Sequence, residues 1–259
     1  MLIPLTEPAR IPAFSRACAY ERVFGSKILT ALRAYGLEDP RARFLLCIKD
    51  DTPTAALYLS QGVLTISADE DTDPQEIAEL ACREAVTEID TNWALTAALR
   101  DILGGFTESS YFMVYQGGSL HDTYPEILPG DLRSVFEVLQ RSHEYYRQHY
   151  QFEPWSADLK QKLSRGLMEI YQLVADGQVV GTGSILSEDD ACGVLGSLAV
   201  VPEYRHRGLG SRLSLFLTQR IQEKGKIPRL VSGYDEVAEL YRGIGFVPCG
   251  HWGELYLES

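Results

Sequence analysis

Leu198-Ala199-Val200-Val201-Pro202-Glu203-Tyr204-Arg205-His206-Arg207-Gly208-Leu209-Gly210 is the stretch from which this chain is best read. Upstream, Gly193 to Val201 is an apolar run too short and too rich in Val and Gly for a buried helix, so it reads as a central strand. Downstream, Gly208 to Glu223 puts Leu213, Phe216, Leu217 and Ile221 on one helical face. A strand therefore ends near Pro202, a short loop follows, and an amphipathic helix begins. A helix start carries unpaired backbone N–H groups and about half a unit of positive charge, which suits a phosphate without any special side chain. Gly208 and Gly210 remove side chains that would block the approach of a pyrophosphate, and Arg205 and Arg207 add positive charge. No Gly-Lys-Ser/Thr follows, which excludes a P-loop, and Gly-x-Gly-x-x-Gly is absent, which excludes a Rossmann fingerprint.

Working outward, Thr123 to Leu128 reads as a strand closed by Pro129-Gly130, and Asp131 caps a helix bearing Leu132, Val135, Phe136 and Leu139. A second helix carries Leu159, Leu163 and Leu167 on one face. Met168 to Val174 and Val179 to Ser187 flank a hairpin turn at Ala175-Asp176-Gly177-Gln178. Arg229 to Ser232 is a strand, Glu236 to Arg242 a helix, and Phe246 to Leu257 a strand pair broken near Trp252-Gly253. Strands interleaved with helices make the class α/β, with a mixed sheet. In the first half, Ala42 to Lys49, Thr54 to Ser60 and Val63 to Ser67 are strands. A helix over Pro74 to Glu84, capped by Asp73, comes next. Val86 to Asp90, Ala94 to Leu103 and Tyr111 to Tyr115 then read as strand, helix and strand. This order matches the second half from its second strand onward, so the chain divides into a degenerate copy over 1–118 and an intact domain over 119–259. Gln116-Gly117-Gly118-Ser119 is the linker.

The 259 residues carry a net charge of −12, which repels nucleic acid and favours a cationic partner such as an amine. No segment approaches the ~20 apolar residues that span a bilayer, and the first dozen residues are no secretory leader. The five cysteines, odd in number and irregularly spaced, fit a reducing compartment. The expectation is a cytoplasmic protein with no membrane partner. The acidic run Asp69-Glu70-Asp71-Thr72-Asp73 has Pro74 and Leu80 where a calcium loop needs Gly and Glu, and Cys249 and His251 lack a second ligand pair. No metal is expected.

The loop resembles the Arg/Gln-x-x-Gly-x-Gly/Ala signature of the GNAT superfamily of acetyl-CoA-dependent N-acetyltransferases, with Arg205, Gly208 and Gly210 at the matching positions. Ala238-Glu239-Leu240-Tyr241-Arg242-Gly243-Ile244-Gly245-Phe246 is similar to the family's other recurring segment. The resemblance implies the acyl-CoA N-acyltransferase fold, as two tandem GNAT-like domains of which only the second is intact. It implies acetyl-CoA as cosubstrate and direct transfer of acetyl to a primary amine of a small molecule or peptide, with no covalent intermediate. It assigns the backbone of Leu198, Ala199 and Val200 to the pantetheine arm. The amides of Arg205, His206, Arg207, Gly208, Leu209 and Gly210, with Ser211 beside them, go to the pyrophosphate. Tyr241 falls where many members keep a general acid, the alternative being a ring that only packs on the cofactor. Where many members have Asn, seven residues earlier, this chain has Tyr234. The base is not identified; His143, His149 and Glu137 are candidates. The aromatic-rich stretch from Glu144 to Trp155 either shapes the acceptor site or packs on the sheet. The acidic run of the first half occupies the slot that Arg205 to Gly210 fills in the second, so the first copy is not expected to bind CoA by this route. A non-catalytic acetyl-CoA sensor is the alternative function, and a homodimer is an open partner.

Overall fold

The structure is a computed structural model that describes residues 1–257 apart from Tyr234; the side chains of Tyr145 and Glu236 are not described. The first half runs β1 (Leu2–Pro4), α1 (Ile11–Ala17), α2 (Arg22–Tyr35), β2 (Arg43–Lys49), β3 (Thr52–Ser60), β4 (Val63–Ala68), α3 (Pro74–Arg83), β5 (Glu88–Asn92), α4 (Trp93–Leu103) and β6 (Phe106–Tyr115). The second runs β7 (Ile127–Pro129), α5 (Leu132–Ser142), α6 (Glu144–His149), α7 (Phe152–Ser164), β8 (Glu169–Ala175), β9 (Gln178–Glu188), β10 (Cys192–Val200), α8 (Leu209–Glu223), β11 (Ile227–Val231), α9 (Asp235–Gly243) and β12 (Phe246–Tyr256). Apart from the short α6, the two orders are the same. No helix among the described residues is long and apolar enough to cross a membrane.

Local chemistry sets the element starts. Asp73 accepts from the Gln75 amide and Asp131 from the Ser134 amide, so each carboxylate caps the helix that follows it. Asp176 and Gly177, with φ of 51° and 73°, form the tight β8–β9 turn expected from the sequence. Gly166, at φ 65°, ends α7 and leaves Leu167 in the exit turn, outside the helix whose face it was expected to share. The strand expected from Thr123 begins only at Ile127, because Pro125 offers no N–H for a ladder.

Contacts divide the chain into two compact units. One holds Met1–Met113, Val231–Ala238 and the chain from Pro248 onward; the other holds Val114–Leu230 and Glu239–Val247. In the first unit β1 to β5 lie side by side in chain order, and β12 adds to β5. That pairing is antiparallel, with Glu254 opposite Asp90 and Tyr256 opposite Glu88. Side chains alternate across the sheet. Leu45, Leu57, Leu64, Ile66 and Ile89 meet Ile77, Leu80 and Leu99 on one face, while Phe44, Leu46 and Ala56 meet Phe14 and Ile28 on the other. The last strand is one piece, not a pair broken at Trp252-Gly253. Gly253 is there because a Cβ would stand 2.6 Å from Thr96 Oγ1 of α4, a need of packing and not of a turn.

In the second unit the order is β11-β10-β9-β8-β7. Val135, Val138 and Leu139 of α5 and Leu213 of α8 are buried with Ile170, Leu173, Val180 and Ala199 of the strands.

Candidate functional site

β10 and β11 run parallel only briefly: Cys192, Gly193 and Val194 pair with Ile227, Pro228 and Arg229. Beyond Val194, no further pairing of the two strands occurs among the described residues. On its other side β10 carries a bulge. Gly196 lies opposite Ser184 and Ala199 opposite Thr182, so β10 holds one extra residue, and Ser197 takes φ 49°. Leu198, Ala199 and Val200 follow; Ala199 and Val200 pair with β9 on one edge, and among the described residues none of the three pairs with β11 on the edge that faces the divergence.

The chain then makes a short 3-10 turn at Pro202–Tyr204 before α8. The Tyr204 amide bonds to the Val201 carbonyl and the Arg205 amide to the Pro202 carbonyl. The next backbone bond into the helix is Arg212 N–H to the Gly208 carbonyl. Among the described residues the amides of His206, Arg207, Gly208, Leu209, Gly210 and Ser211 donate no hydrogen bond. His206 and Gly208 both have positive φ, 60° and 75°, which curls this run of donors. Gly208 is needed for its backbone conformation. Gly210 is not: its φ is ordinary, and the nearest atom to an added Cβ is Leu240 Cδ1 at 3.9 Å. A glycine in a first helical turn, where an added Cβ would only touch the end of one leucine side chain, leaves its backbone open to close approach, and Gly208 beside it has nothing within 4 Å of such a Cβ. That opening, beside unsatisfied donors, fits a diphosphate.

The two arginines of the loop act through their side chains on the protein itself. Arg205 Nε donates to the Val200 carbonyl and Nη2 to the Ser142 carbonyl. Arg207 Nη2 donates to the Glu203 carbonyl, with its guanidinium 4.7 Å from the Tyr204 ring centre. Both remain exposed and keep their positive charge beside the amide run.

Tyr241 lies on α9 in the same unit, and its neighbour Leu240 is the residue nearest the opening at Gly210. Its ring is 7% exposed and meets Phe246 edge-on at 5.7 Å. Its hydroxyl has no partner among the described residues, and burial alone pushes the phenol up to about 12. Gly245, at φ 105°, ends α9 as expected; a Cβ there would come within 2.9 Å of the Tyr115 ring. Tyr234 lies outside the described residues.

Of the three candidate bases, Glu137 sits on the exposed face of α5 and His149 is exposed at the end of α6. His143, at the C-terminal end of α5, is exposed as well, and partial desolvation, with the Arg205 charge, lowers its pKa. Burial pushes the Tyr146 phenol up. The aromatic stretch splits between its two readings. Phe152 and Trp155 pack on Phe136 at 5.5 and 5.0 Å, whereas Tyr150 stacks on Tyr146 at 4.8 Å and is exposed.

The first half repeats the architecture without the chemistry. β4 and β5 pair in parallel from Val63 to Thr65, and the loop before α3 lines a cleft of about 570 Å³. There the Asp69 carboxylate accepts from the Asp71 amide and Asp73 from the Gln75 amide. Carboxylates already hold the donors that a phosphate would use.

The model of the acetyltransferase (GNAT) family matches residues 132–246. Several solved structures share the fold over the whole chain. A tandem GNAT protein from the clavulanic acid biosynthesis pathway has a TM-score of 0.62 at 12% identity, over 100% of this chain and 99% of that one. A GCN5-related N-acetyltransferase from Kribbella flavida has 0.64 at 14%, over 94% and 96%. An acetyltransferase of the GNAT family from Colwellia psychrerythraea has 0.63 at 11%, over 100% of both. No curated protein sequence matches this one. The family implies an acyl-CoA cosubstrate. With its diverging parallel strands, bulged β10 and glycine-opened α8, the C-terminal half of this chain belongs to the acetyltransferase (GNAT) family.

Proposed function

We propose that the chain moves an acetyl group from acetyl-CoA to a primary amine of a small molecule or peptide, with residues 119–259 as the working half and 1–118 as a degenerate copy. The observation that carries this reading is the run of unbonded amides from His206 to Ser211 beside the open space at Gly208. When bound, acetyl-CoA supplies a thioester whose carbonyl carbon accepts the amine. The unladdered edge of Leu198, Ala199 and Val200 offers backbone groups to the pantetheine arm, and an N–H there polarises the thioester carbonyl. Arg205 and Arg207 add positive charge near the phosphates while holding the loop in shape.

Tyr241 serves the leaving sulfur. A phenol near 12 is protonated at neutral pH and stays a donor. A thiol titrates near 8.5, so thiolate is the weaker base, and Tyr241 stabilises the departing sulfur by donating a hydrogen bond to it. No cysteine is required for direct transfer, and Cys192 is buried. The net charge of −12 favours a cationic acceptor.

Calorimetric titration with CoA and acetyl-CoA, followed by thiol release across a panel of primary amines, tests the reading. Binding plus amine-dependent release is expected. Binding without release on any amine marks a sensor of acetyl-CoA, and a flat titration removes both readings.

A further inference from the structure

The loop that carries the unbonded amides holds two left-handed residues, His206 and Gly208, with Arg207 between them. A non-glycine residue at φ 60° keeps that shape only where its surroundings fix it. Among the described residues the amides from His206 to Ser211 make no hydrogen bond of their own, so side chains must hold the curl. Arg205 does so on one side, through the carbonyls of Val200 and Ser142. On the other side the contacts form a series. Arg207 Nη2 donates to the Glu203 carbonyl at 3.1 Å, and its guanidinium lies 4.7 Å from the Tyr204 ring centre. The Tyr204 hydroxyl in turn donates to Asp176 Oδ2 at 3.1 Å. Asp176 stands 28 residues before Tyr204, in the β8–β9 turn.

We propose that Asp176 is a positioning residue for the diphosphate loop, acting through Tyr204 on Arg207, an assignment that rests on the acetyl-CoA reading above. The turn is a firm anchor, because β8 and β9 pair right up to it, Val174 with Val179 and Ala175 with Gln178. Its backbone does not need the carboxylate, since Asn or Gly meets a positive φ as well as Asp does. The Asp176 side chain is therefore available for Tyr204. Tyr204 closes the 3-10 turn, with its amide on the Val201 carbonyl and its ring packed, half-buried, against the core of α5, α8 and the strands. A ring seated on the core and tethered at its hydroxyl has no rotamer left to swing into. A guanidinium stacked on that ring is held in turn, by roughly 0.5–1 kcal/mol at an exposed site. Each contact alone is weak in water. In series they keep the Arg207 charge, and the amide run on either side of it, in one place.

Asp176→Gly, Asp176→Asn and Tyr204→Phe, studied in the full chain, test this, with acetyl-CoA affinity read by calorimetry beside the melting temperature. Asp176→Gly keeps the turn and loses the acceptor, whereas Asp176→Asn keeps both. Tyr204→Phe keeps the ring under Arg207 and loses the donor. Asp176→Gly and Tyr204→Phe are each expected to weaken acetyl-CoA about fivefold, and the double variant no more than either, since they are two ends of one bond. Asp176→Asn is expected to stay within about twofold of the wild type. In an Arg207→Ala background, Asp176→Gly is expected to cost no further affinity. Wild-type affinity in Asp176→Gly overturns the assignment, as do losses that add in the double variant or persist in full without Arg207. An affinity loss that tracks a falling melting temperature across the three variants overturns it too. A wild type that gives a flat titration with acetyl-CoA overturns this inference together with the reading it rests on. A wild type that binds while every variant matches it overturns this inference alone.

Discussion

Arg205 bridges two backbone carbonyls, Val200 at the end of β10 and Ser142 at the end of α5, with 3.0 Å to each. The second is one of the carbonyls a helix leaves unpaired at its C-terminus, where a cation is also favoured by the helix dipole. The signature arginine therefore fixes the loop between strand and helix. Lysine cannot reproduce this, since a single ammonium lacks the planar fork. Arg205→Lys is expected to weaken CoA about tenfold, the equivalent of roughly one net hydrogen bond, in a calorimetric titration. Wild-type affinity in that variant would mean the loop holds its shape without the bridge.

Gly210→Ala should move stability and affinity in opposite directions. Replacing glycine by alanine in a helix is favourable by up to about 1 kcal/mol, and at 3.9 Å the nearest atom tolerates the methyl group. The same methyl occupies the approach to the amide run. A raised Tm with weakened CoA is expected; a raised Tm with unchanged CoA affinity would place the diphosphate elsewhere.

Tyr241→Phe removes a hydroxyl that no described residue bonds, so the melting temperature should hold. Turnover is expected to fall by about 10²-fold or more while acetyl-CoA affinity changes little. With the phenol near 12, the wild-type profile should show no tyrosine limb between pH 6 and 9. An unchanged rate in the variant would leave Tyr241 as packing only.

Much of this was legible because it is written in short-range chemistry. Asp73, Asp131 and the Asp176-Gly177 pair declare helix starts and a turn within a few residues, and the Arg205–Gly210 loop declares its helix start in the same way. What depends on distant partners was not. Ser197 takes a positive φ because of its register against β9, which no glycine announces. The contact of Arg205 with Ser142 joins elements far apart in sequence. Gly253 looked like a break because a glycine demanded by close packing and one demanded by a turn read alike. The helix α2 forms over Gly25, which does not announce it. A side chain there would collide with the Cys18 carbonyl, and the Glu21 carboxylate caps the helix at the amides of Val23 and Phe24.

A pH-linked prediction comes from the first unit. Glu88, Asp90 and Glu254 bring carboxylate oxygens within 4.8 Å of one another, with Lys27 2.7 Å from Asp90. Burial first, then the Asp90 charge, pushes Glu254 up to about 7. A carboxyl raised in the folded state favours folding while protonated, so its contribution is full below the unfolded value of 4.5 and is lost as pH rises through about 7. Glu254→Gln keeps an acceptor for the Tyr256 hydroxyl and removes the charge. It is expected to stabilise the protein at pH 8 by up to about 3 kcal/mol and to change little at pH 4. Urea unfolding at the two pH values checks this; equal shifts at both would remove the linkage.

The pairing of β12 with β5 has a consequence for how the chain is made. A ribosome adding about 5–20 residues per second delivers the strand that covers β5 on the order of ten seconds after β5 itself. Until then an N-terminal half that has otherwise collapsed offers an open strand edge to any passing neighbour. Duplicated folds are usually pictured as beads that mature one after another. Here the bead synthesised first waits for Trp252 to Tyr256, so a stop codon ahead of Trp252 leaves β5 without its cover.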